Sequence, residues 1–219
     1  MKKALFVRGG WTGHTPVEST DLFASLLESK GFSVEKSDTL EVYQDADRMN
    51  ALSLVVQSVS LSDISSDQEK GLLNAIRGGV GFAGWHGGAI DSFRSNTEYQ
   101  WMTGGQWVAH PGDIIPSHSV DIADPDHTIV QGLGGFTLPD TEQYYCHVDP
   151  ANHVLCTTTI SGKHGPSELY TAGTVMPYAW TKPYGSGRVF IAAWGHTYEV
   201  FDVPEAREIM LRGMLWASR

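Results

Sequence analysis

The stretch Gly78-Gly79-Val80-Gly81-Phe82-Ala83-Gly84-Trp85-His86-Gly87-Gly88-Ala89-Ile90-Asp91 constrains the fold most. A run of small and apolar residues stops at an imidazole, two glycines follow, and a segment able to form a helix begins. Parallel strands buried on both faces read as continuous apolar runs rather than alternating ones. Glycines just past such a strand permit a tight turn and a close backbone approach. The simplest reading is strand, sharp turn, helix, with His86 at the strand's carboxyl end. In open α/β sheets that rim is where ligands bind.

The flanking segments extend this pattern. Residues 4–7 predict a first buried strand, followed by the glycine-rich Arg8-Gly9-Gly10-Trp11-Thr12-Gly13-His14. That loop has neither G-x-G-x-x-G nor G-x-x-x-x-G-K-[ST] spacing, so phosphate binding is not indicated. A helix is expected over 16–29, with Leu22, Phe23, Leu26 and Leu27 as its apolar stripe and Gly31 just past its end. Residues 32–36 alternate like a half-buried strand, 45–49 suit a helical turn, and 52–56 suit a third strand. Ser66 or Asp67 is expected to cap a helix running to Arg77. Strands separated by helices in this order indicate a doubly wound, mostly parallel sheet.

From 104 to 171 the pattern loosens into short strands, glycines and bends. Long irregular stretches in a compact domain usually serve a site, so this one is expected to be a loop-rich excursion over the sheet's carboxyl end. Order returns with a hairpin of 177–181 and 188–194 across Tyr184-Gly185-Ser186-Gly187. Its second strand stops at Gly195-His196, a second imidazole at a strand end. Asp202 is expected to cap a last helix with Pro204 in its first turn.

A chain of 219 residues, 41% hydrophobic and 18% charged, can bury one substantial core, so one domain over 1–219 is expected. The net charge of −10 argues against nucleic acid and anionic membranes as partners. The apolar run after Lys2-Lys3 is only four residues long, too short for a secretion signal or membrane span, so a cytoplasmic location is expected. Cys146 and Cys156 form no C-x-x-C pair and read as reduced, partly buried thiols.

The ordered set of motifs resembles the trehalose-utilisation (ThuA-like) family. The likeness runs from His14 through Gly84-Trp85-His86-Gly87-Gly88 and Gly104-Gly105-Gln106-Trp107-Val108-Ala109-His110-Pro111. It continues through Asp126-His127-Thr128-Ile129, Thr141-Glu142-Gln143-Tyr144, Tyr178-Ala179-Trp180 and Gly187-Arg188-Val189-Phe190 to Trp194-Gly195-His196-Thr197. The resemblance implies a class I glutamine-amidotransferase-like, flavodoxin-like α/β fold and a role in sugar metabolism. Two departures stand out. The family motif usually has Asp before the glutamate, where this chain has Thr141. Amidotransferases place a nucleophilic cysteine on the turn after the central strand, where this chain has His86. Thiol-dependent glutamine hydrolysis is therefore not expected.

Three residues are candidates for chemistry: His86, His196 and Glu142. Imidazole exchanges protons near neutral pH with little tuning, and a carboxylate can orient it or act as a base. His14, His110, Trp11, Trp85, Tyr144 and Trp194 are candidates for substrate binding. Within the aromatic set Trp11, Trp85, Trp107, Tyr144, Trp180 and Trp194, rings at strand ends could stack on a sugar face. No H-x-H or H-E-x-x-H spacing occurs, so a divalent metal is an alternative assembled from distant segments. His14, His86, His110, Glu142 and His196 offer the N and O donors that zinc or manganese accepts. The expected partner is a small sugar, with a second copy of the chain left open. The expected activity is on a disaccharide or keto-sugar, by isomerisation, elimination or hydrolysis. The alternative is a non-catalytic sugar-binding or regulatory module.

Overall fold

Nine strands form one sheet in the computed structural model, which describes residues 1–219. The first half alternates strands and helices. It runs β1 (Lys3–Gly10), α1 (Pro16–Ser29), β2 (Ser33–Ser37), α2 (Ala46–Asn50), β3 (Leu54–Ser60), α3 (Ser66–Arg77), β4 (Gly81–Trp85), α4 (Gly87–Ile90) and α5 (Thr97–Thr103). The second half is mostly β: β5 (Gly105–Ala109), β6 (Ile114–Ile122), β7 (Phe136–Glu142), β8 (Tyr145–Val148) and β9 (His153–Thr159). After a short α6 (Pro166–Leu169) come β10 (Val175–Tyr184), β11 (Gly187–Ala192) and α7 (Pro204–Ala217).

Across the sheet the order is β2-β1-β3-β4-β11-β10-β9-β6-β7. The strands from β2 to β11 are parallel, and those from β11 to β7 are antiparallel. The chain steps one way from β1 to β2 and the other way from β3 to β4. Crossovers are right-handed, so this reversal puts α1 and α3 on opposite faces. Buried on both sides, β3 and β4 are enclosed along their whole length, as are Ala4 to Val7 of β1. Their carboxyl ends meet at the switch point where such sheets bind ligands.

The expected fold class is the one observed, and several details differ. Residues 104–171 hold five strands. Three of them extend the main sheet, and β5 and β8 pair as a separate ribbon. Regular pairing there follows long-range partners that local pattern cannot reveal. The cap of α3 is Ser65, which exchanges hydrogen bonds with Gln68 in a capping box. Asp202 does not cap α7; Val203 holds that position without a side-chain bond. Strand β11 ends at Ala192, so His196 stands on the loop beyond it. Cys146 and Cys156 are both free and buried. No helix is long and apolar enough to cross a membrane.

Candidate functional site

The turn after β4 is strained. His86 adopts φ 46° and ψ −145° before the single turn of α4, a region that costs a non-glycine residue about 1–3 kcal/mol. Its N–H donates to the Ala192 carbonyl at 2.8 Å, and its own carbonyl accepts from Ile90 at 2.8 Å, which fixes the turn from both sides. The neighbours are glycines because there is no room for more. A Cβ at Gly88 would lie 2.7 Å from Ser58 Cα, and one at Gly87 would lie 2.3 Å from His14 Cε1. The strained turn thus projects the His86 ring at a point where the β1 loop also arrives.

Four side chains from remote segments converge there. His14 follows β1, His86 follows β4, Glu142 ends β7 and His196 follows β11, and one donor atom from each lies within 4.8 Å of the others. Glu142 Oε2 is 3.3 Å from His86 Nε2 and 3.2 Å from His196 Nδ1. These are hydrogen-bond lengths, yet none of the three buried atoms has a partner at an acceptable angle. His14 Nδ1 meets Ser60 Oγ at 2.6 Å. Tyr144 stacks on the His86 ring with centroids 3.9 Å apart. His110 Nε2 approaches the other carboxylate oxygen, Oε1, at 3.6 Å and stands outside the four-donor group.

Burial sets the protonation states. It pushes His14 down to about 4 and His86 down to about 3, because a dry site disfavours imidazolium. Burial alone would push Glu142 up. The adjoining His196 and His86 nitrogens outweigh it and hold the carboxyl well below the ordinary carboxylate range. At neutral pH the cluster therefore contains neutral His14 and His86 beside an ionised carboxylate.

A pocket of about 310 Å³ opens above the cluster, lined by Trp11, His14, Leu61, Asp91, Arg94, Trp107, His110, Glu142 and Tyr144. Of the expected substrate-binding residues, His14, His110, Trp11 and Tyr144 lie in this wall. Trp85 and Trp194 do not, and this corrects the expectation. Both are buried: Trp85 packs on Phe23 and Phe201, and Trp194 packs on Phe136 and Tyr178. His86 and His196 stand behind the wall rather than in it.

Three wall residues, Asp91, Arg94 and Leu61, are not among the expected site residues. Asp91 is buried and pairs with Arg94, whose guanidinium lies 4.2 Å over the Trp107 ring. Leu61 enters with φ 52° just past β3. Asp91 ends the central motif itself, which was the available signal. For Leu61 and Arg94 there was none. No thiol reaches the site, and burial raises both Cys146 and Cys156.

Comparison with known proteins adds the family context. The family described as "ThuA: Trehalose utilisation" matches residues 3–217. None of the curated proteins matches the sequence significantly. Among solved structures, a protein from Bacteroides uniformis described as thua-like superposes with a TM-score of 0.82 at 15% identity, covering 99% of this chain and 91% of that one. One from Parabacteroides merdae with the same description gives 0.77 at 18%, covering 99% and 89%. A protein from Salmonella typhimurium LT2 described as cytoplasmic gives 0.67 at 11%, covering 99% and 100%. At these identities the likeness concerns the fold.

Proposed function

The chain belongs to the ThuA (trehalose utilisation) family, and from that premise we propose that it is a sugar-metabolism enzyme acting on a disaccharide or its keto derivative. The observation that carries this reading is the pocket floored by Glu142, His14 and His110 and walled by Trp11, Trp107 and Tyr144. Its volume of about 310 Å³ is at the low end for small-molecule sites. That suits one sugar ring in place, with the second projecting through the mouth. Indole faces take the apolar C–H side of a pyranose, and the Asp91–Arg94 pair offers a donor and an acceptor for hydroxyls.

The chemistry is proton transfer. Glu142, ionised and facing the pocket, takes a proton from a carbon beside a carbonyl or from a hydroxyl. His110 is the imidazole that solvent reaches, with its side chain 32% exposed, and it exchanges protons at the same centre. His86 and His196 hold the carboxylate from behind. Isomerisation, elimination and hydrolysis all need this acid and base. A cytoplasmic location is part of the same proposal.

The test is turnover on a panel of disaccharides and their 3-keto derivatives, with Glu142→Gln alongside. Product formation that the variant loses supports the reading. Saturable sugar binding with no product from any substrate would overturn it in favour of a binding or regulatory module.

A further inference from the structure

Buried polar atoms in proteins are almost always paired. Here His86 Nε2, His196 Nδ1 and Glu142 Oε2 are buried, face one another and are unpaired. His86 is only 1% exposed and Glu142 8%. The separations explain what they share. Around a tetrahedral cation with bonds of about 2.0–2.1 Å, neighbouring donors stand about 3.4 Å apart. The two distances from Glu142 Oε2, 3.3 and 3.2 Å, have that length.

The surroundings hold the donors in place. Ser60 Oγ engages His14 Nδ1 and leaves Nε2 as that ring's free donor, the outer-partner arrangement common in metal-bound histidines. Tyr144 fixes the plane of His86 by stacking, and the missing Cβ at Gly87 makes room for the His14 ring.

We infer that His14, His86, His196 and the Glu142 carboxylate hold one divalent transition-metal cation of the zinc or manganese class. Three imidazoles and one carboxylate do not suit magnesium or calcium, which take oxygen ligands. His14 and Glu142 also line the pocket, so a substrate oxygen can approach the cation as a fifth ligand, which would polarise that oxygen as a Lewis acid does. His110 is then not a ligand; it faces Oε1 and remains the group that moves protons. This inference does not depend on the sugar reading, since metal binding without turnover would overturn only the latter.

The experiment is titration of chelator-stripped full-length protein with zinc or manganese, read by calorimetry and by metal content after gel filtration. One cation per chain is expected, with magnesium unable to compete. Ser60→Ala, which removes only the outer partner of His14, should weaken binding about ten- to a hundredfold. His14→Ala and Glu142→Gln should weaken it further, while His153→Ala, outside the cluster, should leave it unchanged. X-ray absorption on zinc-loaded wild type needs no variant. It should show an all N/O shell with imidazole scattering at about 2.0–2.1 Å. Absence of stoichiometric binding overturns the inference, as does a shell without imidazole. So does affinity that Ser60→Ala, His14→Ala and Glu142→Gln all leave unchanged.

Discussion

Acidification from pH 7.5 to 5 should remove about 6 kcal/mol of stability from the chelator-stripped protein. Three imidazoles carry the effect. Burial holds His14 and His118 at about 4 and His86 at about 3, against about 6.5 in an unfolded chain. Below 6.5 the unfolded chain therefore binds more protons than the native one, and stability falls as pH falls. At pH 5 both folded values still lie below the solution pH, so only the unfolded value of about 6.5 counts. The gap is about 1.5 units, or about 2 kcal/mol per group. Glu142, held low, begins to lose its own contribution only once pH passes below the ordinary carboxylate range, and with the same sign. A total near 6 kcal/mol is comparable to the whole stability of many domains. Urea unfolding at several pH values measures it, provided the slope with denaturant stays constant. His118 lies outside the cluster and meets Tyr178 Oη at 2.9 Å, so His118→Gln should remove about a third of the drop. A wild-type loss below about 2 kcal/mol would refute the reasoning, because it would leave room for no more than one buried neutral histidine.

Other substitutions separate chemistry from packing. Glu142→Gln keeps the shape and removes the charge; turnover should fall by about 10²–10⁴, and the melting temperature should fall too, because the ionised carboxylate beside His86 and His196 contributes stability, both read on one preparation. Gly87→Ala would set a Cβ 2.3 Å from His14 Cε1; overpacking should cost about 1–3 kcal/mol and displace the ring, so stability and turnover should fall together. Trp11→Ala, at a residue 48% exposed, should raise KM and change stability by no more than about 0.5 kcal/mol. Trp194→Ala, at a fully buried ring, should cost about 3–5 kcal/mol; equal stability losses in the two tryptophan variants would mean that the pocket and core assignments are wrong.

The contrast between these tryptophans shows how far the sequence was legible. Strands β1 and β4 and helices α1 and α3 read correctly because their signals are local: unbroken apolar runs, a 3.6-residue stripe, terminal glycines. Trp85 and Trp194 share motifs with His86 and His196, which points to the site, yet both turn into the core. Side chains alternate across a strand, so Trp85, the residue before His86, points away from it; Trp194 lies two residues past the end of β11 and packs on Phe136 and Tyr178. The positive φ of His86 then re-aims its own ring towards the rim. Residues 104–171 looked irregular because their order is non-local. Strand β9 pairs with β10, and β6 bridges β9 and β7, with partly exposed alternation that resembles loop. His118 carried no motif, since its partner Tyr178 comes from a distant strand. The residue types of the site were readable in the sequence, but the separations of about 3 Å that give them joint meaning exist only once four chain segments fold together.

The strained turn explains why a histidine rather than a glycine at position 86 points to a role for its side chain. Glycine would adopt φ 46° at no cost, so a β-carbon at this position persists only where its side chain is needed at that point. A nucleophile on such a turn must stand exposed to the substrate and be deprotonated. His86 is instead 1% exposed, neutral, stacked on Tyr144 and outside the pocket wall. It faces the carboxylate oxygen that His196 also faces. Those properties suit a donor that grips something below the substrate, and they do not suit a group that attacks it. The turn forces one side chain to the rim of the sheet. The depth of that side chain is set by the Gly87 gap that admits the His14 ring and by the stacked Tyr144. In the proposed chemistry the reacting surface belongs to Glu142 and His110, which line the pocket from the end of β7 and from the turn after β5.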